Sequence, residues 1–176
     1  MRLILDLCGG SGAWSAPYRE AGYQVEIIDL PSDVRLRAFE SYPVHGILAA
    51  PPCTVFANSG ARWVRAKAEI LAALSVVDAC LRLVALHRPC WWALENPVGK
   101  LTRWLGPPVM YFDPCDYGDR HTKRTALWGR FTPPFKRRIA VVGKNPIHHM
   151  APGPERAARR SVTPTGFARA FFEANP

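Results

Sequence analysis

A cysteine that follows two prolines is the residue of this sequence best suited to nucleophilic chemistry. Cys53 lies in the stretch Ala-Pro-Pro-Cys-Thr-Val-Phe, residues 50–56, where the prolines fix two φ angles just before the thiol. A thiol becomes a nucleophile when its surroundings stabilise the thiolate, whereas a buried free cysteine is usually a small inert hydrophobe. We assign that inert role to Cys80 and Cys90, and we predict that Cys53 is the reactive thiol.

A glutamate and an asparagine follow the apolar run Trp91 to Leu94. A carboxylate at the end of a buried strand needs a partner, because its desolvation is costly. Glu95 could hydrogen-bond or protonate a ring nitrogen of a heteroaromatic substrate. The alternative is a salt bridge between Glu95 and a nearby arginine.

The glycine-rich turn Asp-Leu-Cys-Gly-Gly-Ser-Gly, residues 6–12, follows the first apolar run of the chain. It matches neither the dinucleotide pattern G-x-G-x-x-G nor a phosphate-binding loop ending in G-K-[ST]. Its glycines still let a ligand approach the backbone. Asp29 ends the next apolar run, where an acid can accept hydrogen bonds from ribose hydroxyls. The alternative is an ordinary strand–helix turn with a helix-capping acid.

Alternating strands and helices must position these residues. Short apolar runs predict strands, and apolar residues recurring every three or four positions predict helices. The predicted strands are Arg2–Leu7, Tyr23–Ile28, Gly46–Ala50, Trp91–Leu94, Thr125–Trp128 and Arg138–Val142, and the first predicted helices are Trp14–Ala21 and about 62–87. This order predicts an α/β domain with a mostly parallel sheet and helices on both faces. Ligands bind at the carboxyl ends of such strands, where the glycine turn, Asp29, Cys53 and Glu95 all fall.

Length and cysteine usage limit the possible classes of protein. A chain of 176 residues suits one domain, residues 1–176. Its five cysteines form no C-x-x-C pair, and His148 and His149 have no cysteine at ligand spacing, so we expect neither a disulfide framework nor a metal site. This pattern favours a reducing cytoplasm. No run of 18 or more apolar residues occurs, so we expect no membrane span.

Positive charge is concentrated in one part of the chain. The net charge is +9, and residues 119–160 hold eleven Lys/Arg against two Asp/Glu, so the remainder is neutral. Three cations also fall within five residues just before the predicted strand at 125. Such segregation favours a surface that binds a polyanion, most plausibly nucleic acid. The alternative is a solvated basic face.

These motifs, taken in order, resemble the cytosine-C5 DNA methyltransferase family. Pro51-Pro52-Cys53 is similar to the family's nucleophile motif, and Glu95-Asn96 to its Glu-Asn-Val motif. The stretch 161–164 and the helix predicted after it resemble the final motif, which closes the cofactor pocket. The resemblance implies a Rossmann-like S-adenosylmethionine-dependent methyltransferase fold. It implies cofactor contacts from Asp6, Cys8, Gly9, Gly10, Ser11, Gly12, Asp29, Asp33, Val34 and Pro51, with Asp33 and Val34 reading the adenine. It implies catalytic roles for Cys53, Glu95, Asn96 and Arg124, and DNA contacts from Lys123, Arg130, Lys136, Arg137 and Arg138.

The chemistry implied by the resemblance is methyl transfer from S-adenosylmethionine to C5 of cytosine in DNA. The Cys53 thiolate would attack C6, and Glu95 would hydrogen-bond or protonate N3 while charge develops on the ring. The target base must leave the helix stack to reach such a pocket.

Four features depart from the family pattern. Thr54 replaces the usual glutamine or serine, Pro97 replaces valine, and Ala126 stands where a second arginine is expected. The short basic insert at 130–160 also replaces a large target-recognition domain. We therefore expect a minimal, phage-like member with weak or short-context specificity, or one that uses a recognition subunit from another chain.

Other functions fit the same residues. The substrate could be RNA, a free nucleotide or an already modified pyrimidine, with the same Cys53 and Glu95. An amino-methyltransferase fits less well, because those enzymes place Asp or Asn before the prolines and an aromatic residue after them. A non-catalytic nucleic-acid-binding accessory protein of the same fold is a further alternative. In each case we expect the cytoplasm of a bacterial or phage-infected host cell.

Overall fold

A computed structural model describes residues 1–38, 41–58, 64–141 and 156–176. Four sequence-based expectations concern residues outside these ranges, in whole or in part. They are the start of the helix predicted at about 62–87, the end of the strand predicted at 138–142, the loop role of His148 and His149, and much of the insert at 130–160.

Six strands form one sheet. They are β1 (Leu3–Leu7), β2 (Gln24–Ile28), β3 (Gly46–Ala49), β4 (Trp91–Pro97), β5 (Met110–Phe112) and β6 (Thr125–Arg130). Their order is β2-β1-β3-β4-β6-β5, and the first four are mutually parallel. Strand β6 is antiparallel to both β4 and β5. The mostly parallel α/β sheet predicted from the sequence is thus present, and its central strands are buried on both sides, as their apolar runs require.

The described helices are α1 (Ala16–Glu20), α2 (Lys67–His87), α3 (Thr102–Leu105), α4 (Arg156–Ser161) and α5 (Thr165–Ala174). Short 3₁₀ turns cover Val34–Leu36 and Pro114–Tyr117. Helix α2 ends where the sequence predicts: Arg88 takes the left-handed conformation with φ 47°, and its N–H donates to the Val84 carbonyl.

Alternate residues of the strands build two apolar layers, one on each face of the sheet. On one face, Leu5 and Ile47 belong to a cluster with Val77, Cys80 and Leu83 of α2. On the other face, Ile4 and Leu48 belong to a cluster that includes residues of α1 and α5. Helices therefore cover both faces of the sheet, so a site can form only from the loops at the ends of the strands.

Helix α2 is long and apolar enough to cross a membrane by length and composition alone, although it contains no unbroken run of 18 apolar residues. This is weak evidence, because mostly buried core helices pass the same test; here 22% of the apolar stretch is buried. In the structure, Val77, Cys80 and Leu83 of α2 are buried against the sheet.

Helix α5 forms after residues 161–164, as predicted, and is held by aromatic packing. Phe167 stacks on Phe112 with ring centroids 3.9 Å apart, and Phe171 contacts Trp14 edge-on at 5.4 Å. The Tyr18 hydroxyl donates to the Asn175 carbonyl at 2.8 Å. These contacts fix the C-terminal helix against α1 and the end of β5.

The structure corrects several predicted elements. The strand predicted at 138–142 is wrong over its described part, because residues 138–141 pair with no strand. Instead, Arg137 and Ile139 donate their N–H groups to the carbonyls of Asp116 and Cys115, both at 2.8 Å. Strand β5 and helices α3 and α4 form where no strand or helix was predicted, and β4 extends through Pro97 rather than ending at Leu94.

Candidate active site

The loops that carry the predicted residues meet at one edge of the sheet, which we call the carboxyl edge. Strands β1, β2, β3 and β4 are parallel and end there, and Leu7 pairs with Ile28 on one side and Ala49 on the other. Strand β6 runs the opposite way, so Lys123 and Arg124 enter from the same edge. The glycine turn, Asp29, Cys53 and the end of β4 are therefore neighbours in space.

The glycine turn closes tightly over β1. The Cys8 N–H donates to the Ile28 carbonyl at 2.7 Å, and the Gly12 N–H donates to the Gly9 carbonyl at 2.8 Å. A Cβ on Gly9 would lie 2.4 Å from Cγ of Asp6, so only glycine fits at this position. Ser11 is exposed at the tip of the turn. The turn thus presents backbone rather than side chains to the carboxyl edge.

Asp6 lies beneath the glycine turn and is fully buried. Its Oδ2 accepts a hydrogen bond from Ser15 Oγ at 2.5 Å, while Oδ1 has no partner among the described residues. Burial raises the Asp6 pKa to about 6, and the Ser15 hydrogen bond opposes that rise. Asp6 therefore supports the turn from below.

Asp29 lies half-buried beside the turn. Its Oδ2 accepts from the Gly10 N–H at 2.7 Å, and its Oδ1 accepts from the Leu30 N–H at 2.8 Å. Each carboxylate oxygen has a second lone pair, so Asp29 can still accept from hydroxyl donors such as those of a ribose. The arrangement fits the predicted role.

The predicted adenine-reading pair is arranged differently from the expectation. Asp33 is bound by its own neighbour: the Arg35 Nε lies 3.0 and 2.9 Å from its two carboxylate oxygens. These hydrogen bonds hold the Asp33 pKa below its usual value. The Val34 side chain is buried in the core cluster. In this structure neither side chain stands open toward a ligand.

The Pro-Pro-Cys loop is attached to the end of β4. Asn96 Nδ2 donates to the Pro51 carbonyl at 2.9 Å, and both residues are buried. The Cys53 carbonyl accepts from the N–H groups of Phe56 and Ala57 at 3.0 and 2.8 Å, which closes a tight turn after the cysteine. Thr54 is exposed, just beyond the cysteine. The Cys53 thiol is thus carried on a loop fixed on both sides.

The Glu95 carboxylate acts electrostatically on the Cys53 thiol. Burial raises the Cys53 pKa, and the Glu95 carboxylate raises it further. Burial also raises the Glu95 pKa, and the Lys123 ammonium opposes that rise. Glu95 Oε2 and Asn96 Oδ1 are both buried without a hydrogen-bond partner among the described residues. The described residues include no salt bridge to Glu95, so two unpaired acceptors remain at the end of β4.

Lys123 connects the site to helix α4. Its Nζ donates to the Arg160 carbonyl at 2.8 Å. The cations of Lys123 and Arg160 both lower the Cys53 pKa, against the larger effect of burial. Arg160 was missed by the sequence analysis, although the run Arg-Ala-Ala-Arg-Arg at 156–160 could have indicated a cationic helix.

The structure directs Arg124 toward β5. Its Nη1 lies 3.3 Å from Asp113 Oδ2, and its guanidinium lies over the Tyr111 ring at 5.3 Å. The position expected to hold a second arginine, Ala126, is fully buried and pairs with Asn96. Among the described cations, Lys123 affects the pKa of both Cys53 and Glu95.

The remaining predicted DNA contacts occupy different places. Arg130 pairs with Trp92 at the opposite edge of the sheet, and its Nη2 donates to the Pro89 carbonyl at 2.5 Å. Lys136 and Arg138 bind the two oxygens of Asp116 at 3.2 and 2.7 Å. The exposed Arg137 side chain makes no ion pair with a described residue. Lys136, Arg137 and Arg138 thus lie beside the turn that follows β5, whereas Arg130 does not.

The other cysteines differ in exposure: Cys80 is buried, as expected, whereas Cys90 is exposed, so the buried position expected for Cys90 is wrong. The thiols of Cys8 and Cys80 hydrogen-bond each other between the glycine turn and α2. Within the described ranges, no group of three or more His, Cys, Asp or Glu side chains could hold a metal ion.

Comparisons with known proteins define the fold. No protein-family model and no curated protein matches the chain. A solved structure from E. coli, described as a candidate DNA modification methyltransferase encoded within a prophage, superposes with a TM-score of 0.52 at 18% sequence identity. The match covers 80% of this chain and 53% of the other, so the chain spans about half the length of that protein. This likeness, together with the sheet order, shows that the chain has the Rossmann-like α/β fold predicted from its sequence.

Proposed function

We propose that this chain is a DNA methyltransferase that transfers a methyl group from S-adenosylmethionine to C5 of cytosine through a covalent bond between Cys53 and C6. One observation carries the proposal: Cys53 follows β3, Glu95 lies near the end of the neighbouring parallel strand β4, and the buried Glu95 Oε2 has no hydrogen-bond partner among the described residues. The described function of the E. coli structural neighbour supports DNA methylation in general.

Cytosine offers a ring nitrogen that complements the unpaired Glu95 oxygen. A protonated Glu95 donates to ring nitrogen N3, and the raised pKa of Glu95 favours that protonated form. A cytosine placed here would give the buried Glu95 Oε2 a hydrogen-bond partner. Asn96 follows Glu95 in β4, so its side chain lies on the other face of the sheet, where it holds the Pro51 carbonyl.

The proposed bond changes balance between Cys53 and Glu95. The Cys53 thiol gives its proton to water, and the thiolate forms the S–C6 bond as the C5=C6 double bond breaks and N3 takes a proton from Glu95. C5 then carries the electron pair that would accept the methyl group. Water takes the C5 proton, the C5=C6 bond re-forms as the S–C6 bond breaks, and N3 returns its proton to Glu95, which releases methylated cytosine and the Cys53 thiolate. A neutral Glu95 assists the first step, because its negative charge would raise the Cys53 pKa.

The cofactor contacts rest on the glycine turn and Asp29. Bound S-adenosylmethionine supplies an electrophilic methyl group. Asp29 retains lone pairs for ribose hydroxyls, and the turn around Gly10 exposes backbone at the carboxyl edge. Asp6 would act from beneath as a support for this turn. Asp33 also binds Arg35, so an adenine would share that carboxylate with the guanidinium or displace it.

Cytosine C5 is favoured over an exocyclic amino group by the residues around the prolines. Amino-methyltransferases resemble this pattern only in the two prolines, whereas here Ala50 precedes and Cys53 follows. A transferase acting on RNA, a free nucleotide or a modified pyrimidine would use the same Cys53 and Glu95.

Sequence recognition is proposed to be limited. The insert at 130–160 contributes cations that suit phosphate contacts, which position DNA without reading its sequence. We propose short-context specificity or a separate recognition subunit, acting in the cytoplasm of a bacterial or phage-infected host cell.

A covalent trap tests the proposal. The protein is mixed with S-adenosylmethionine and duplex DNA that carries 5-fluorocytosine in random contexts, and the products are resolved on a denaturing gel. Fluorine cannot leave C5 as a proton does, so the adduct with Cys53 should persist. We expect a shifted band with the wild type and with Cys90→Ser, which removes an exposed thiol elsewhere, but none with Cys53→Ala.

The other outcomes discriminate among the alternatives. An adduct with fluorinated RNA only would replace DNA by RNA as the substrate. Binding of DNA and cofactor without an adduct would refute the C5 chemistry and favour the accessory-protein alternative. Sequencing of trapped DNA measures specificity, and a long unique site selected by the chain alone would contradict the limited recognition proposed above.

A further inference from the structure

A phenyl ring stands in solvent on the basic segment that follows β6. Phe135 is 83% exposed and lies between Pro134 and the cationic run Lys136-Arg137-Arg138. Its ring makes no aromatic contact with any residue that the structure describes. Isolated exposed apolar side chains are common on proteins, so the backbone and the charges around Phe135 must decide whether it has a role.

The backbone on both sides of Phe135 is fixed. The buried Pro134 offers its carbonyl to the Tyr117 hydroxyl at 3.3 Å. After Phe135, the Arg137 N–H donates to the Asp116 carbonyl and the Ile139 N–H to the Cys115 carbonyl, both at 2.8 Å. The backbone therefore holds the ring outward before any partner binds, so binding would cost this loop little conformational entropy.

The charge around the ring is positive. Lys136 and Arg138 share one carboxylate, that of Asp116, and Arg137 has no ion-pair partner within the described ranges. Three cations against one acid leave a net charge of +2 beside Phe135. An apolar ring among cations suits a partner that is both aromatic and anionic.

Phe135 and its neighbouring cations lie at the carboxyl edge of the sheet, as Cys53 does. Strands β4 and β5 both run antiparallel to β6, so they are parallel to each other. The turn Pro114–Tyr117, which follows β5, is therefore at the carboxyl edge. Lys136 also binds the Tyr111 carbonyl of β5 at 2.6 Å, which places the cations along that outer strand.

We propose that Phe135 stacks on an unpaired nucleobase of DNA while Arg137 and Lys136 contact the adjoining phosphates, so that the chain prefers single-stranded or locally opened DNA. This inference rests on the proposed function, because it assigns the strandedness of its substrate. A phenyl face stacks on any base and reads no sequence, which suits a chain whose insert is short. A base in an intact duplex is already stacked on its neighbours and offers no free face.

Binding measurements with three probes test the proposal. The probes are a fluorescein-labelled single strand of about 20 nucleotides, its duplex, and the same duplex with a central unpaired bulge. Cys53→Ala protein without cofactor is used throughout, so that chemistry does not contribute. We expect the Phe135→Ala change to weaken single-strand and bulge binding about 5- to 100-fold, and duplex binding less than about twofold. Phe135→Trp, which keeps a stacking face, should bind like its parent.

Two controls separate stacking from charge and from folding. Arg137→Ala should weaken binding to all three probes and reduce the salt dependence by about one phosphate contact, whereas Phe135→Ala should leave the salt dependence unchanged. Leu86→Ala removes another exposed apolar side chain, on α2, and should change nothing. Equal circular dichroism and thermal unfolding of the variants exclude misfolding.

Unchanged affinity of Phe135→Ala for all three probes would overturn the proposal, as would an equal loss on duplex and single strand. The covalent trap keeps this failure distinct from failure of the proposed function. If the 5-fluorocytosine adduct forms normally with the Phe135→Ala change in otherwise wild-type protein and binding is unchanged, the stacking role is wrong and the C5 chemistry stands. If Phe135 gives a preference for single strands but no adduct forms, the stacking role stands and the C5 chemistry is wrong.

Discussion

Replacing Asp6 by asparagine should change how the stability of this protein depends on pH. Burial raises the Asp6 pKa from 3.8 to about 6 in the folded chain. Between these pH values the unfolded chain has released the proton while the folded chain keeps it, so the wild type loses stability as pH rises. This difference in pKa corresponds to about 3 kcal/mol of unfolding free energy, which the wild type has lost once the pH is well above about 6. Asparagine does not ionise, so Asp6→Asn should lack this loss.

Urea unfolding followed by tryptophan fluorescence at pH 4, 5, 6 and 7 measures the effect, since the chain has six tryptophans. The informative quantity is the unfolding free energy of Asp6→Asn minus that of the wild type, because other titrating groups cancel. It should shift by about 2 kcal/mol in favour of the variant between pH 4 and 7, because the unfolded carboxyl is already partly ionised at pH 4. Ser15→Ala is the matched control: it removes the hydrogen bond that lowers the Asp6 pKa, so the loss with rising pH should grow. A difference that stays constant with pH would refute the burial argument for Asp6.

Two further predictions concern the loops around the site. Gly9→Ala would place a Cβ 2.4 Å from Asp6 Cγ, so we expect S-adenosylmethionine affinity, measured by calorimetry, to fall at least about tenfold while DNA binding is retained. Gly22→Ala is the control, because nothing lies within 4 Å of its Cβ, and it should keep cofactor affinity. Equal cofactor binding by both variants would contradict the argument that the backbone at Gly9 leaves no room for a side chain. Asn96→Ala removes the hydrogen bond to the Pro51 carbonyl, so the rate of adduct formation should fall about 10- to 100-fold, as expected for a buried hydrogen bond worth about 1–3 kcal/mol; an unchanged rate would show that Asn96 does not position Cys53.

The sequence was most informative where one physical requirement dominated. Strands β1 and β3 are apolar runs because both faces of the sheet are covered, and the glycines of the first turn are needed because side chains would not fit. Both patterns are visible without coordinates. The same reasoning places Cys53 and Glu95 at one edge, since parallel strands end together.

Pairing between distant segments explains what the sequence could not predict. Strand β5 has three residues and exists because it pairs with β6, a contact that its own composition does not encode. The strand predicted at 138–142 was wrong in its described part because backbone donors near 138 bind the turn at 115–116 instead. Arg124 has the right spacing for a substrate contact, yet Asp113 and Tyr111 attract its guanidinium to β5.

The electrostatics of the site give Lys123 a role that neither motif nor spacing indicates. Burial raises the pKa of both Cys53 and Glu95, which favours the neutral thiol and the neutral acid in the resting site. Attack requires the thiol to become negative while Glu95 stays protonated, so a nearby cation must favour the thiolate without ionising the acid completely. The Lys123 ammonium lowers the pKa of both groups, and its hydrogen bond to the Arg160 carbonyl brings a second cation that acts on Cys53. The Lys123 and Arg160 cations therefore favour the thiolate that the proposed chemistry needs, against the larger effect of burial.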